Sequence, residues 1–208
     1  MYTDYAKKFN DAVAGKTSWQ PLKKGGFNFK TFNLEYLPSG RLAFKPTRQA
    51  IVFYIIFITA GLGFLIDVIY TLYSSDFDFV RFELINFAIG MIFLLSGISM
   101  AIRIKAIVFD RSAGYYWRGR RKVQYSDMHR NQKVFSRIMD IYALQLLSEY
   151  IQKDKGSYHS YELNIVFRDG SRKHLLDHSK IEDLKREAEE LSSYISRPLW
   201  ADTVRRRH

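Results

Sequence analysis

Two long apolar stretches, ten residues apart, constrain the fold of this chain more than any other feature. Residues 51–73 read IVFYIIFITAGLGFLIDVIYTLY and carry one charged side chain, Asp67, whereas residues 84–102 read LINFAIGMIFLLSGISMAI and carry none. At 1.5 Å per residue, helices of these lengths would measure about 35 Å and about 28 Å, enough to cross a hydrocarbon core of roughly 30 Å. The sequence therefore predicts a transmembrane helical hairpin over residues 49–102.

The polar remainder of the 208-residue chain sets the domain organisation. Residues 1–48 precede the hairpin, residues 103–200 are long enough for one small hydrophobic core, and residues 201–208 form a basic tail. Cysteine is absent, which excludes disulfides and thiolate metal sites and fits a cytoplasmic domain. The first apolar run lies behind a polar segment, so we expect an uncleaved anchor and no signal peptide.

Positive charge is distributed unevenly around the hairpin. Residues 1–48 hold nine Lys and Arg against three acids, the loop at residues 74–83 holds one against three, and a dense run of bases begins at Arg103. Because Lys and Arg resist translocation, we expect a multi-pass protein of the cell inner membrane with both termini cytoplasmic. The net charge of +11 would then face one leaflet, either as a topology signal alone or also as an attraction to anionic lipid.

Small side chains within the hairpin are predicted to let helix backbones approach closely. The candidate packing residues are Gly61, Gly63, Gly90 and Gly97. Gly90 and Gly97 share one helix face, which suits a homo-oligomer formed through the hairpin, although glycine is also simply common in such helices. Asp67 lies near the outer end of its stretch, where a partly hydrated residue is a simpler interpretation than a proton or ion site.

Alternating apolar and polar residues predict strands on both sides of the hairpin. Residues 27–45 contain two such runs around a Pro-Ser-Gly turn, and we expect this β-hairpin to join the sheet formed after residue 103. Further strands are predicted at residues 104–110, 115–118, 138–150, 161–168 and 171–176, with a polar loop at residues 128–137. A helix is also possible at residues 138–150, although their apolar side chains suit a buried strand better. Strands followed by one helix predict an α+β fold.

That helix is predicted near the C-terminus, over residues 179–196. Ser179 and Glu182 have the spacing of a capping box, apolar residues recur at helical intervals, and Arg197-Pro198 ends the pattern. The helix would cover an antiparallel sheet.

Three segments resemble the bacterial pleckstrin-homology-like (PH-like) domains found on small membrane proteins with a two-helix hairpin. They are IVFDRSAGYYWRG, YELNIVFRDGSRKHLLDH and the predicted C-terminal helix. The resemblance covers roughly residues 103–200, with residues 27–45 added. It implies an antiparallel β-sheet or barrel with a C-terminal amphipathic helix, which binds or scaffolds partners and has no family active site.

An aromatic–basic patch follows the second apolar stretch. It consists of Tyr115, Tyr116, Trp117, Arg118, Arg120, Arg121 and Lys122. Lys and Arg bind phosphate and aromatic rings suit a membrane surface, so we interpret the patch as a contact for anionic lipid or a partner, with a plain solvated face as the alternative. Bases could stack on the same rings, but no nucleic-acid-binding motif accompanies them and we predict no nucleic-acid partner.

Signals for catalysis or metal binding are weak. His174 and His178 flank Asp177, but they lie where a strand passes into a loop and no further His or Cys is close in sequence. Ser171 has no paired base or nucleophile elbow, and no Walker-type glycine loop is present. We therefore predict no metal, no cofactor and no enzymatic activity.

Together these features predict an integral inner-membrane protein of bacterial type. Its cytoplasmic PH-like domain would bind or scaffold a protein partner at the membrane surface without catalysis. Two alternatives stay open: an immunity or inhibitor protein that protects against a toxin acting at the inner membrane, and an accessory subunit of a transporter or membrane enzyme. The genes next to this one would separate the three.

Overall fold

The computed structural model describes residues 4–22, 30–74, 80–119, 135–153 and 156–202. The chain divides into two compact units. The helical unit is Pro46–Lys105, and the sheet unit combines Met1–Lys45 with Ala106–His208. The sheet unit is therefore assembled from the segments that precede and follow the helical unit in sequence.

Helices and strands occur in separate runs, which is the α+β arrangement that the sequence predicts. In chain order the described elements are α1 (Tyr5–Phe9), α2 (Ala12–Lys16), β1 (Phe32–Tyr36), β2 (Leu42–Pro46), α3 (Arg48–Ser74), α4 (Val80–Arg103), β3 (Ile107–Asp110), β4 (Tyr115–Arg118), β5 (Phe135–Arg137), β6 (Ile141–Lys153), β7 (Gly156–Phe167), β8 (Arg172–His178), α5 (Ile181–Ile195) and β9 (Leu199–Asp202). A single 3-10 turn, Ile138–Asp140, leads into β6.

The helical unit consists of α3 and α4 packed against each other. Both helices extend beyond the predicted stretches 51–73 and 84–102, and both are long and apolar enough to cross a membrane. Large apolar side chains cover their outer surface, among them Ile69 and Leu95, which are 67% and 56% exposed. Helices that are apolar on their exposed faces are typical of membrane spans.

The first sheet has the strand order β1-β2-β3-β4-β5. Strands β2 and β3 flank the helical unit in sequence, yet they pair antiparallel, with Phe44 opposite Ile107. The prediction that the N-terminal hairpin joins the later sheet is confirmed for residues 30–45, and residues 27–29 lie outside the described residues. The predicted loop at residues 128–137 is wrong at its end, because Phe135 begins β5 and stacks on Tyr115 with ring centroids 4.7 Å apart.

The second sheet has the order β8-β7-β6-β9. Its first three strands are antiparallel, and β9 runs parallel to β6 with Trp200 beside Gln145. Sequence analysis missed β9, which takes Ala201 and Asp202 from the predicted basic tail into the sheet; residues 203–208 lie outside the described residues. The described strands form two separate sheets, and no closed barrel is found among them.

Helix α5 packs against β6, β7 and β9 through the buried side chains of Leu184, Ala188 and Leu191. The predicted capping box is wrong, because the N-cap residue is Lys180 and no side chain caps the helix there. The predicted stop is close to the observed end, where Ser196 adopts a left-handed conformation with φ 54°. The reversal lets the chain return directly into β9.

Candidate functional site

The described part of the aromatic–basic patch, Tyr115–Arg118, is strand β4 of the five-stranded sheet. Tyr116 and Trp117 are only 2% and 4% exposed. The Tyr116 ring stacks on Phe109 with centroids 5.2 Å apart, and Trp117 packs in a cluster with Val108 and Phe135. These two rings are part of the core, so they are not available to a lipid head group.

Arg118 connects the two sheets. Its Nη2 donates hydrogen bonds to the backbone oxygens of His174, at 3.1 Å, and Leu175, at 2.7 Å. Burial lowers the pKa of Arg118 from its ordinary value. Three patch residues, Arg120, Arg121 and Lys122, lie outside the described residues. A lipid contact stays a prediction that rests on those three and on the partly buried Tyr115.

Three of the four candidate packing glycines lie where α3 and α4 touch. A Cβ on Gly61 would lie 2.5 Å from the backbone nitrogen of Leu94, and one on Gly97 would lie 2.9 Å from a backbone nitrogen of α3. A Cβ on Gly90 would meet a side chain of α3 at 3.0 Å, whereas one on Gly63 would meet nothing within 4 Å. Gly63 therefore faces away from this contact.

A second candidate site is buried on one face of the four-stranded sheet. We call it the polar cluster; it consists of Gln145 on β6, Glu162 and Asn164 on β7, and Arg172, His174 and Asp177 on β8. Gln145 lies opposite Asn164, which in turn lies opposite His174, so the side chains share one face. Buried polar groups of this kind need internal partners.

A β-bulge places His174 and Asp177 on the same face of β8. In a regular strand, residues three apart point to opposite faces. The register between β7 and β8 shifts, so that His174 lies opposite Asn164 and Asp177 lies opposite Glu162. His178, the next residue, points to the other face. The structure thus brings together His174 and Asp177, but it separates His178 from them.

The segment that follows α2 covers the polar cluster. The backbone oxygen of Ser18 accepts a hydrogen bond from Gln145 Nε2 at 3.0 Å, and the backbone N–H of Leu22 donates to Glu162 Oε1 at 2.9 Å. These contacts join residues more than a hundred positions apart in sequence. The N-terminal part of the chain therefore supplies the lid over a polar surface that the later strands create.

Aromatic stacking holds the N-terminal segment in place. Asn10, in a left-handed conformation, separates α1 from α2. The Trp19 ring stacks on Tyr5 with centroids 4.0 Å apart and lies 6.2 Å from the Trp200 ring on β9. The Tyr5 hydroxyl donates to Asp202 Oδ2 at 2.6 Å.

Charges of both signs meet within the polar cluster. His174 Nε2 lies 2.9 Å from Asp177 Oδ1, a hydrogen bond in which a protonated nitrogen donates. Asn164 Nδ2 donates to Glu162 Oε1 at 2.5 Å, and one ligand atom from each of Glu162, His174 and Asp177 lies within 4.8 Å of the others. Burial lowers the pKa of Arg172, and the negative charge of Glu162 opposes that shift.

Sequence reasoning missed Glu162 and Asn164, although their strand was predicted. The alternation in YELNIVFR predicts one apolar face and one face open to water, which is the usual arrangement in an antiparallel sheet. Here the polar face is covered by the N-terminal segment. No local pattern could have indicated that cover, because it comes from the opposite end of the chain.

Comparison with known proteins does not assign the fold or the site. No protein-family model, curated protein or solved structure matches this chain.

Proposed function

We propose that this chain is a two-span inner-membrane protein whose sheet unit is a PH-like module that binds or scaffolds a protein partner at the cytoplasmic surface, without catalysis. The observation that carries the proposal is the pairing of β2 with β3. These strands are adjacent in one sheet, and the two long apolar helices are inserted between them in sequence. A folded domain is thereby tethered at two points to a pair of candidate membrane spans.

The pairing of β2 and β3 supports a shared side for both termini. Strand β2 ends at Pro46, two residues before α3 begins at Arg48, and α4 ends at Arg103, shortly before β3 begins at Ile107. Strands of one sheet cannot lie on opposite sides of a bilayer, so a spanning α3–α4 hairpin would leave both termini on one side. The excess of Lys and Arg in these flanks favours the cytoplasm as that side.

The order of elements supports the PH-like assignment. Two antiparallel strand runs, β1–β5 and β6–β8, are followed by a single helix, α5, that packs on the second sheet. This is the arrangement implied by the resemblance, with the parallel strand β9 as an addition. A module of this kind has no inherent reaction and acts by presenting surfaces.

The β6–β7 hairpin offers a surface for a partner. Strand β8 pairs with β7 only from Tyr161 onward, and β9 pairs with β6 only as far as Leu147. The hairpin extends beyond both, and it carries the half-exposed Tyr150 beside His159, with ring centroids 5.1 Å apart. Tyrosine rings at exposed positions are enriched in protein interfaces.

Reporter fusions test the membrane topology. A reporter that is active only outside the cytoplasm should be silent when fused after residue 208, and silent when fused before residue 4. The same reporter inserted at residues 75–79 should be active. Activity at either terminus would contradict the cytoplasmic placement of the sheet unit.

Site-specific photo-crosslinking tests partner binding in the full-length protein within native membranes. A photoreactive phenylalanine analogue at Tyr150 should form a discrete adduct with a second protein, because that side chain is half exposed. The same analogue at Tyr161, on the same hairpin but only 9% exposed, is the matched control and should form none. Absence of adducts at both Tyr150 and the exposed Tyr36 would contradict the proposal. The identity of the adduct would separate a toxin from a transporter subunit.

A further inference from the structure

We infer that the polar cluster contains a binding site for one divalent transition-metal ion of the zinc or manganese class, with Glu162, His174 and Asp177 as its ligands. Candidate ligand atoms of these three side chains all lie within 4.8 Å of one another. Ligand atoms that share one zinc ion at about 2.0–2.2 Å lie roughly 3–4 Å apart. Small side-chain rotations would therefore close the site without moving the strands.

An unsatisfied amide oxygen gives a second, independent indication of a ligand. Asn164 is completely buried, and its Oδ1 has no hydrogen-bond partner among the described residues. Its Nδ2 lies 2.5 Å from Glu162 Oε1, and the two polar atoms of one amide are about 2.2 Å apart, so Oδ1 lies within about 5 Å of that carboxylate. A buried oxygen at this position can serve as a fourth ligand or accept from a metal-bound water.

The backbone around the ligands is shaped to bring them together. The β-bulge in the β7–β8 pair turns His174 and Asp177 to the same face, and bulges commonly re-aim side chains at functional sites. Arg118 holds the backbone oxygens of His174 and Leu175 from the other sheet. This contact fixes the backbone of one ligand residue, as the outer partners of metal sites do.

The bond between His174 and Asp177 marks the position of the ion. His174 Nε2 lies 2.9 Å from Asp177 Oδ1. A metal ion binds an imidazole nitrogen that carries no proton, so an ion at this position would replace the hydrogen bond between the two side chains, with the ring proton of His174 on Nδ1. The His174 side chain is 12% exposed, so this ligand is not completely closed off from solvent.

The donor set selects the class of ion. One imidazole nitrogen with two carboxylates suits zinc and manganese, whereas magnesium and calcium prefer oxygen ligands throughout. Glu162 also accepts the N–H of Leu22, so the ion would tie β7 and β8 to the N-terminal segment. The expected role is stabilisation of that cover, and it does not depend on the proposed partner binding.

Calorimetric titration of the full-length protein in mild detergent tests the site. The protein is purified with a tag that lacks histidine, stripped with EDTA, and titrated with Zn²⁺, Mn²⁺ and Mg²⁺. We expect one equivalent of Zn²⁺ or Mn²⁺ to bind, with Mg²⁺ much weaker. His174→Gln and Asp177→Asn should each weaken the affinity at least about 100-fold, because each removes a direct ligand. His159→Gln, at an exposed histidine outside the cluster, should bind like the wild type.

A second measurement keeps the test decisive if a variant fails to fold. Saturating Zn²⁺ should raise the melting temperature of the wild type, EDTA should reverse the rise, and Mg²⁺ should not reproduce it, because binding to the folded state alone stabilises it. Wild-type affinity in folded His174→Gln and Asp177→Asn would overturn the inference. So would the absence of both saturable binding and a metal-dependent melting shift in the wild type.

Discussion

The helical unit and the sheet unit differ in the side chains that they bury. Where α3 and α4 touch, the closest approaches are made by glycines such as Gly61 and Gly97, and large apolar side chains lie outside. The sheet unit buries large apolar side chains such as Phe109 and Leu163, and it also buries the polar cluster. The helical unit is therefore organised for apolar surroundings and the sheet unit for water.

The largest expected effect contrasts one substitution, Leu to Ala, in the two units. Leu163→Ala in β7 removes a fully buried side chain and should lower the free energy of unfolding by about 2–5 kcal/mol. Leu95→Ala, at an exposed position of α4, should change it by less than about 0.5 kcal/mol. Denaturant titration of the detergent-solubilised protein, followed by far-UV circular dichroism, measures both. Equal losses of unfolding free energy in the two variants would contradict the difference in burial between the two units.

The next largest effect concerns a buried histidine of the sheet unit. Burial, with Lys30 and Lys180 nearby and Asp183 opposing, lowers the pKa of His178 from 6.5 to about 4. Between these values the unfolded chain takes up a proton that the folded chain does not. The free energy of unfolding is therefore not reduced by His178 above pH 6.5. As the pH falls from 6.5 towards 4, proton uptake by the unfolded chain lowers the free energy of unfolding by up to about 3 kcal/mol.

Tryptophan fluorescence isolates that effect, because Trp19, Trp117 and Trp200 all belong to the sheet unit. His178→Gln should flatten the decline in unfolding free energy between pH 6.5 and 4. The exposed His159→Gln should leave the wild-type slope unchanged. An unchanged slope in His178→Gln would show that other groups cause the decline.

A smaller effect distinguishes two glycines of α3. Gly61→Ala should destabilise the helical unit by about 1–3 kcal/mol, because its Cβ would overlap the backbone of α4. Gly63→Ala has open space and should be neutral or stabilising by up to about 1 kcal/mol, since Ala favours helix. Titration with SDS, followed at 222 nm, compares the two. A loss for Gly63→Ala as large as that for Gly61→Ala would contradict the packing.

The smallest effect tests the cover over the polar cluster. Tyr5→Phe removes the hydrogen bond to Asp202 and should lower the free energy of unfolding of the sheet unit by about 1 kcal/mol. Tyr73→Phe, 92% exposed at the end of α3, is the control and should have no effect. Tryptophan fluorescence during denaturation measures both. An unchanged value for Tyr5→Phe would show that this hydrogen bond does not help to hold the N-terminal segment.

Elements that local sequence patterns determine could be predicted, whereas elements that depend on contacts with distant residues could not. Apolar runs and alternation are local patterns, so α3, α4, β3, β4 and most of the later strands were predictable. The N-cap at Lys180 could not be predicted. The capping-box spacing of Ser179 and Glu182 caps a helix only when the backbone places Ser179 at the N-cap position. Strand β9 was also missed, since four residues become a strand only by pairing with β6.

The candidate sites show the same difference between what local sequence patterns predict and what distant contacts decide. The composition of the aromatic–basic patch suggested a surface, but Tyr116 and Trp117, which point to opposite faces of β4, are both buried by packing. Conversely, Glu162 and Asn164 have the pattern of a solvated face and are buried by a distant segment. Sequence identifies which residues are polar, while burial depends on pairings that are remote in the chain.

The pairing of β2 with β3 also sets an order of events during synthesis. Strand β2 leaves the ribosome well before β3, because the whole helical unit is made between them. The first sheet cannot be completed until both long helices have been synthesised and the chain has returned. Contacts between residues so far apart in sequence form slowly. Until the helices reach their final environment, β1 and β2 therefore lack the pairing partner β3, and the unpaired edge of β2 is exposed to incorrect association with other strands. A completed first sheet would thus indicate that α3 and α4 have already reached their final environment.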